Sequence, residues 1–125
     1  MRTTVSLLFT ILAILWSPLA AAGDLAGFWK LDEGPGWIEV RFTDGVGSAT
    51  VRRNDRFPER IGRQLLKDIK ADGEGWTAQV YVERSEEYRD AKLALSDSGQ
   101  LEIKVKVGFI SRTLAWNRVS EVPGE

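Results

Sequence analysis

Apolar and polar residues alternate with a period of two along most of this chain. The clearest run is "LEIKVKV", where Leu101, Ile103, Val105 and Val107 take one side and Glu102, Lys104 and Lys106 the other. That pattern predicts a strand with one face buried and one in water. "WIEVRF" repeats it, with Ile38, Val40 and Phe42 opposite Glu39 and Arg41, and Trp37 on the polar side. "ATVRR" is a shorter case, and "WTAQVYVE" sets Trp76, Ala78, Val80 and Val82 against Thr77, Gln79, Tyr81 and Glu83. "RDAKLAL" groups Ala91, Leu93 and Leu95, while "RTLAWNRV" sets Leu114 and Trp116 against Thr113, Ala115 and Asn117. With "GFWKL" at 27–31 these segments predict seven strands. The glycine-containing clusters "EGPG", "DGVG", "ADGEG" and "DSG" fall between them and read as turns.

One segment departs from the alternation. In "ERIGRQLLKDIK" the apolar residues Ile61, Leu65, Leu66 and Ile69 are spaced four, one and three apart, which fits an amphipathic helix. Gly62 weakens that reading, since a glycine inside a helix costs about 1 kcal/mol relative to alanine. The same residues can instead form a strand over 63–70. A strand there brings the number to eight, and eight antiparallel strands can close into an up-and-down barrel without free edges. Such a barrel is either filled by side chains or wide enough for one small ligand. An open β-sandwich is the competing all-β arrangement.

The first residues follow a different pattern. Arg2 precedes an apolar run from Val5 to Trp16, Pro18 breaks it, and Ala20, Ala21 and Ala22 offer a small-residue cleavage site. This is the layout of a secretory signal peptide. The run is about a dozen residues, short of the ~20 that span a bilayer as a helix. Residues 1–22 are therefore expected to direct export, with an uncleaved anchor as the alternative. Residues 23–120 are expected to form one domain and 121–125 a flexible tail. The cleaved protein would be periplasmic or secreted and would not span a membrane.

Composition narrows the chemistry. The formal net charge is −1, and removing Arg2 makes it −2, so the domain lacks the basic field of a nucleic-acid binder. There is no cysteine, which excludes disulfides, thiolate nucleophiles and cysteine-bound zinc. There is no histidine either, which excludes Ser-His and Cys-His hydrolases and imidazole metal sites. Glu86 and Glu87, beside Tyr88, form a paired acidic cluster, but neighbours on a strand point to opposite faces. Each glycine cluster sits between strands rather than before a helix, so none reads as a phosphate loop. The sequence reads as a non-enzymatic protein without metal or cofactor.

Two features suggest binding. Trp37, Trp76, Tyr81, Phe109 and Trp116 are many large side chains for a domain of this size, and they could line a cavity for an apolar ligand or envelope lipid. Alternatively they fill the barrel. The stretch holding Arg52, Arg53, Arg56, Arg60, Arg63 and Lys67 outweighs Asp55 and Glu59, six cations to two anions. Arg52, Arg53 and Arg56 are its candidate contacts for an anionic headgroup or an envelope partner, bound through the outer surface.

The two ends of the domain carry a family likeness. Gly27, Phe28 and Trp29 resemble the G-x-W signature on the first strand of lipocalin-type barrels. The ending "VGFISRTLAWNRV" resembles the close of a bacterial family known as domain of unknown function 2147, with Gly108, Arg112, Thr113, Trp116 and Arg118 at its characteristic places. "IGRQLLKDIKADGEGWTAQVYV" is similar to that family's middle segment, and Tyr88 and "KLALSDSGQLEIKV" to the strands before the ending. The chain departs from the family at Thr77, Ala78 and Gln79, where a glycine is usual, and at "VERSEE", where an Asp-Pro-Gly type turn is usual. The resemblance implies a small exported protein with an eight-stranded lipocalin-like barrel, and it favours a strand over 63–70. It also implies a structural role for Gly27, Trp29 and Arg118, the arginine packing across the indole to plug the closed end.

Overall fold

The computed structural model describes residues 22–124. The chain runs from a 3-10 turn at Ala22–Leu25 into β1 (Gly27–Leu31), β2 (Gly36–Thr43) and β3 (Val46–Asn54). A second 3-10 turn, Pro58–Arg60, leads to β4 (Gln64–Asp72), followed by β5 (Gly75–Val82), β6 (Glu87–Leu95), β7 (Leu101–Val107) and β8 (Ile110–Val119). Each strand pairs with the next, and β8 pairs with β1, so the sheet is a closed eight-stranded barrel. All pairs are antiparallel, as the expected up-and-down barrel requires. Residues 1–21 of the predicted export segment lie outside the described residues.

Closure forces the period-two pattern to resolve into an inside and an outside. On β7, Leu101 and Ile103 are fully buried, and Val105 nearly so, while Lys104 and Lys106 are exposed. On β5, Trp76, Ala78 and Val80 are buried and face inward with Ala91 and Leu93 of β6. One continuous core results, reaching from Leu25 and Trp29 through Leu66 and Ile69 to Trp116.

The ambiguous segment is a strand, and a β-bulge explains its helical spacing. On β3 the residues Gly47 and Ala49 are two apart, yet their partners on β4, Ile69 and Leu66, are three apart. The other neighbour shows the same count: Gln79 and Thr77 face Lys67 and Lys70. The extra residue falls near Asp68, whose φ is +54°. One inserted residue in a strand restores the inward direction after three positions instead of two. Leu66 and Ile69 are therefore both fully buried.

Antiparallel alternation also sorts the loops. The β1–β2, β3–β4, β5–β6 and β7–β8 connections lie at one end of the barrel, and the chain termini lie with the remaining turns at the other. After β8, Val122 is 3% exposed and the Pro123 carbonyl accepts a hydrogen bond from Arg53 Nη1 at 2.6 Å. Residues 122 and 123 thus rest on the barrel.

Candidate functional site

The end that holds the termini is sealed. Trp29 has no exposed surface, and its indole N–H donates to the Leu25 carbonyl at 3.0 Å within the 3-10 turn. Burying an indole without such an acceptor would leave a costly unpaired donor. Arg118 stands opposite Trp29 in the β1–β8 register, and its guanidinium carbon lies 4.3 Å from the ring centroid. The same guanidinium donates to the carbonyls of Ala26 and Asp24. It therefore ties the N-terminal turn across the mouth.

Gly27 makes room for this plug. Its φ is +131°, which favours glycine, and a Cβ there would stand 3.2 Å from Arg118 Nη1. Trp76 and Trp116 fill the same half of the barrel, 3% and 2% exposed. Trp76 Nε1 is buried and has no hydrogen-bond partner among the described residues.

The opposite end is open. A cavity of about 470 Å³ lies there, lined by Val80 and Val82 of β5, Val105 and Val107 of β7, and Ile110 and Leu114 of β8. The strand pattern explains its character, because these are inward positions occupied by short aliphatic chains. Where the closed half has indoles, this half has valines. Ile110 is 64% exposed and Leu114 42%, so the cavity communicates with solvent. Glu83, Arg84 and Arg112 complete its rim. Arg84 and Arg112 take part in no ion pair among the described residues, whereas Glu83 is paired to Arg60 at 3.6 Å and to Arg63. The site is an apolar pocket with two available cations at its edge.

The five sequence-selected aromatics separate. Trp76 and Trp116 are inside, in the sealed half. Trp37 is on the outer face, with Lys30 5.4 Å and Arg53 5.1 Å from its ring centroid. Tyr81 borders the open cavity, and its ring packs edge-on against Tyr88 at 5.4 Å. Phe109 is fully exposed at the tip of the β7–β8 hairpin. The aliphatic lining carried no separate signal in the sequence, since valine and leucine at inward positions read equally well as core.

In the arginine-rich stretch Arg52, Arg53, Arg60 and Arg63 have carboxylate partners, while Arg56 and Lys67 take part in no ion pair among the described residues. Arg52 pairs with Glu39, and Arg53 holds Asp55 through Nε at 2.6 Å. Arg56 and Arg60 flank the Phe57 ring, with guanidinium carbons 5.7 and 4.0 Å from its centroid. Asn54, a buried polar residue, accepts the N–H groups of Arg56 and Phe57 and shapes the loop.

Glu39 is perturbed by its arginine neighbours. A hydrogen bond from Arg41 holds its carboxyl below the usual carboxylate range, with Arg52 adding to the effect and burial opposing it. Glu86 and Glu87 do not form a joint site, since Glu86 lies in the turn with φ +54° and Glu87 opens β6 and pairs with Arg89 at 3.0 Å. Among the described residues no group of three or more acidic, histidine or cysteine side chains is placed to hold a metal ion. No helix among them is long and apolar enough to cross a membrane.

The fold has a counterpart among solved structures. It is similar to HP1028, a protein of Helicobacter pylori described as belonging to the lipocalin family, with a TM-score of 0.60 and 18% identity over 78% of this chain and 84% of that one. At that identity the likeness is one of fold: a lipocalin-like barrel. No protein-family model matches the chain, and no curated protein does.

Proposed function

We propose that the protein binds a small amphipathic molecule in the open half of its barrel and performs no chemistry on it. The apolar part of the ligand would lie against Val80, Val82, Val107 and Leu114, with an acidic head near Arg84 and Arg112. One observation carries this reading: an aliphatic pocket of about 470 Å³ opens beside two arginines that have no carboxylate partner among the described residues. That volume is within the ~300–1,000 Å³ range of small-molecule sites. The lipocalin-like fold is compatible with it, because an eight-stranded barrel can hold one small ligand where side chains do not fill it.

The signal-peptide layout of residues 1–22 supports placing this activity in the cell envelope or outside the cell. The ending built on Gly108, Arg112, Thr113, Trp116 and Arg118 supports kinship with the family of domain of unknown function 2147. The other reading is a filled barrel that binds an envelope protein or anionic glycolipid through Arg52, Arg53 and Arg56. It has less support, because Arg52 and Arg53 are engaged in ion pairs.

Calorimetric titration with lauric and palmitic acids, together with native mass spectrometry, tests the proposal. One-to-one binding with micromolar or tighter affinity is expected. Absence of both heat and mass adduct for every chain length would overturn it.

A further inference from the structure

The β7–β8 hairpin presents a feature that ligand binding does not need. Its two-residue loop, Gly108 and Phe109, joins the register pair Val107 and Ile110. Gly108 has φ +66° and Phe109 has no positive φ, which fits a type II′ turn with glycine at its first central position. The turn projects Phe109 from the barrel with its side chain entirely in solvent, followed by Ile110 at 64% exposure. A phenylalanine held in water at the tip of a hairpin gives up the burial that large aromatics ordinarily contribute.

The cations around this tip are equally unengaged. Lys104 and Lys106 project outward from β7, and Arg84 and Arg112 stand at the rim; none takes part in an ion pair among the described residues. Lys104 faces Lys92 directly across the β6–β7 ladder, a like-charge pairing that destabilises a sheet. Asp90, on the same outer face, is engaged by Gln79 Nε2 at 3.4 Å instead of by a lysine. Glu86, on the neighbouring loop, is a carboxylate without an ion pair among the described residues, and it is outnumbered by these cations.

We infer that the protein docks on an anionic bilayer surface, Phe109 and Ile110 entering the headgroup boundary while Lys104 and Lys106 meet lipid phosphates. A second protein is the poorer occupant. A specific protein interface buries ~1,200–2,000 Å² in total, and two side chains at a hairpin tip supply only a few hundred. A bilayer needs no complementary surface: an apolar wedge plus basic residues is the usual basis of interfacial attachment. Docking in this pose brings the open cavity against the membrane, so an amphipathic ligand can pass between lipid and pocket without crossing water. That consequence rests on the ligand-binding reading; the docking itself does not.

Flotation with vesicles of phosphatidylcholine alone and with 30% phosphatidylglycerol tests the inference. The protein should lack residues 1–22, whose apolar run would partition by itself; the closed ladder from Gly27 to Val119 does not include them. Binding to the anionic vesicles only is expected, reduced at least tenfold by Phe109→Ser and by Lys104→Glu combined with Lys106→Glu, and weakened by 0.5 M salt. No flotation of the unaltered protein, or flotation untouched by Phe109→Ser, would overturn it. So would a concentration-dependent dimer that Phe109→Ser dissolves, since the tip would then cover a second copy. Phe109, Lys104 and Lys106 do not line the open cavity. Lauric acid binding measured without vesicles therefore stays intact in these variants, and each reading can fail alone.

Discussion

Arg118 lies over the indole of Trp29, its direct register partner across the β1–β8 seam, at 4.3 Å from the ring centroid. The contact joins the first and last strands where the barrel closes. Because the guanidinium also holds the Ala26 and Asp24 carbonyls, one side chain links the seam to the turn that seals the interior.

Arg118→Ala should therefore lower stability by about 1–2 kcal/mol, combining a cation–π contact at an exposed site with lost hydrogen bonds. Arg118→Lys should recover part of that, since an ammonium keeps the charge but not the forked donors. Urea unfolding followed by tryptophan fluorescence measures both. Gly27→Ala should be destabilising as well, because it strains a backbone at φ +131° and crowds Arg118 Nη1.

The bulge in β4 leads to a second prediction. Asp68 has φ +54°, a conformation that short polar residues and glycine tolerate and β-branched residues resist. Asp68→Gly should be nearly neutral, whereas Asp68→Val should cost about 1–2 kcal/mol. The urea midpoint should shift without a change in slope, since the surface exposed on unfolding is unaltered.

That bulge also marks where reading the sequence met its limit. Strict alternation made β5 and β7 legible, because every inward residue there is apolar and every second one is polar. In β4 the same rule failed between Leu66 and Ile69, since an inserted residue changes the count and leaves a spacing that a helix would share. The closed end was legible through Gly27, Trp29 and Arg118, whose order resembles a known signature. The open end was not. Ile110 and Leu114 look like core, yet at the open end they are 64% and 42% exposed. Charge was legible only in part for a related reason: Arg52 and Arg53 stand out as a run, and their carboxylate partners Glu39 and Asp55 are brought to them by the β2–β3 ladder and the loop that follows it. Lys92 and Lys104 are twelve residues apart and meet only through the β6–β7 register.

Glu39 connects stability to pH. Its folded-state pKa is lowered by the hydrogen bond from Arg41, with Arg52 contributing. A depressed carboxylate favours the folded state above its unfolded pKa, near the ordinary glutamate value of 4.5, and that contribution is lost as pH falls through the folded pKa. The unaltered protein should therefore lose stability on acidification from about pH 5 downward. Glu39→Gln should be less stable at pH 7 and show a shallower acid decline. Urea midpoints of the two proteins between pH 7 and pH 3 make the comparison.

Pocket and rim should be separable by mutation. Leu114 faces the open cavity, and Leu114→Trp would fill part of its volume of about 470 Å³. Lauric acid and dodecanol should then lose affinity together, because the substitution excludes the chain they share. Arg112 acts on the head instead. A charge-assisted hydrogen bond contributes about 1.5–3 kcal/mol, and 1.4 kcal/mol is a tenfold change in affinity. Arg112→Gln should therefore weaken lauric acid by roughly tenfold and leave dodecanol little changed. Equal losses for both ligands would place the head elsewhere, with Arg84 the next side chain on the same rim.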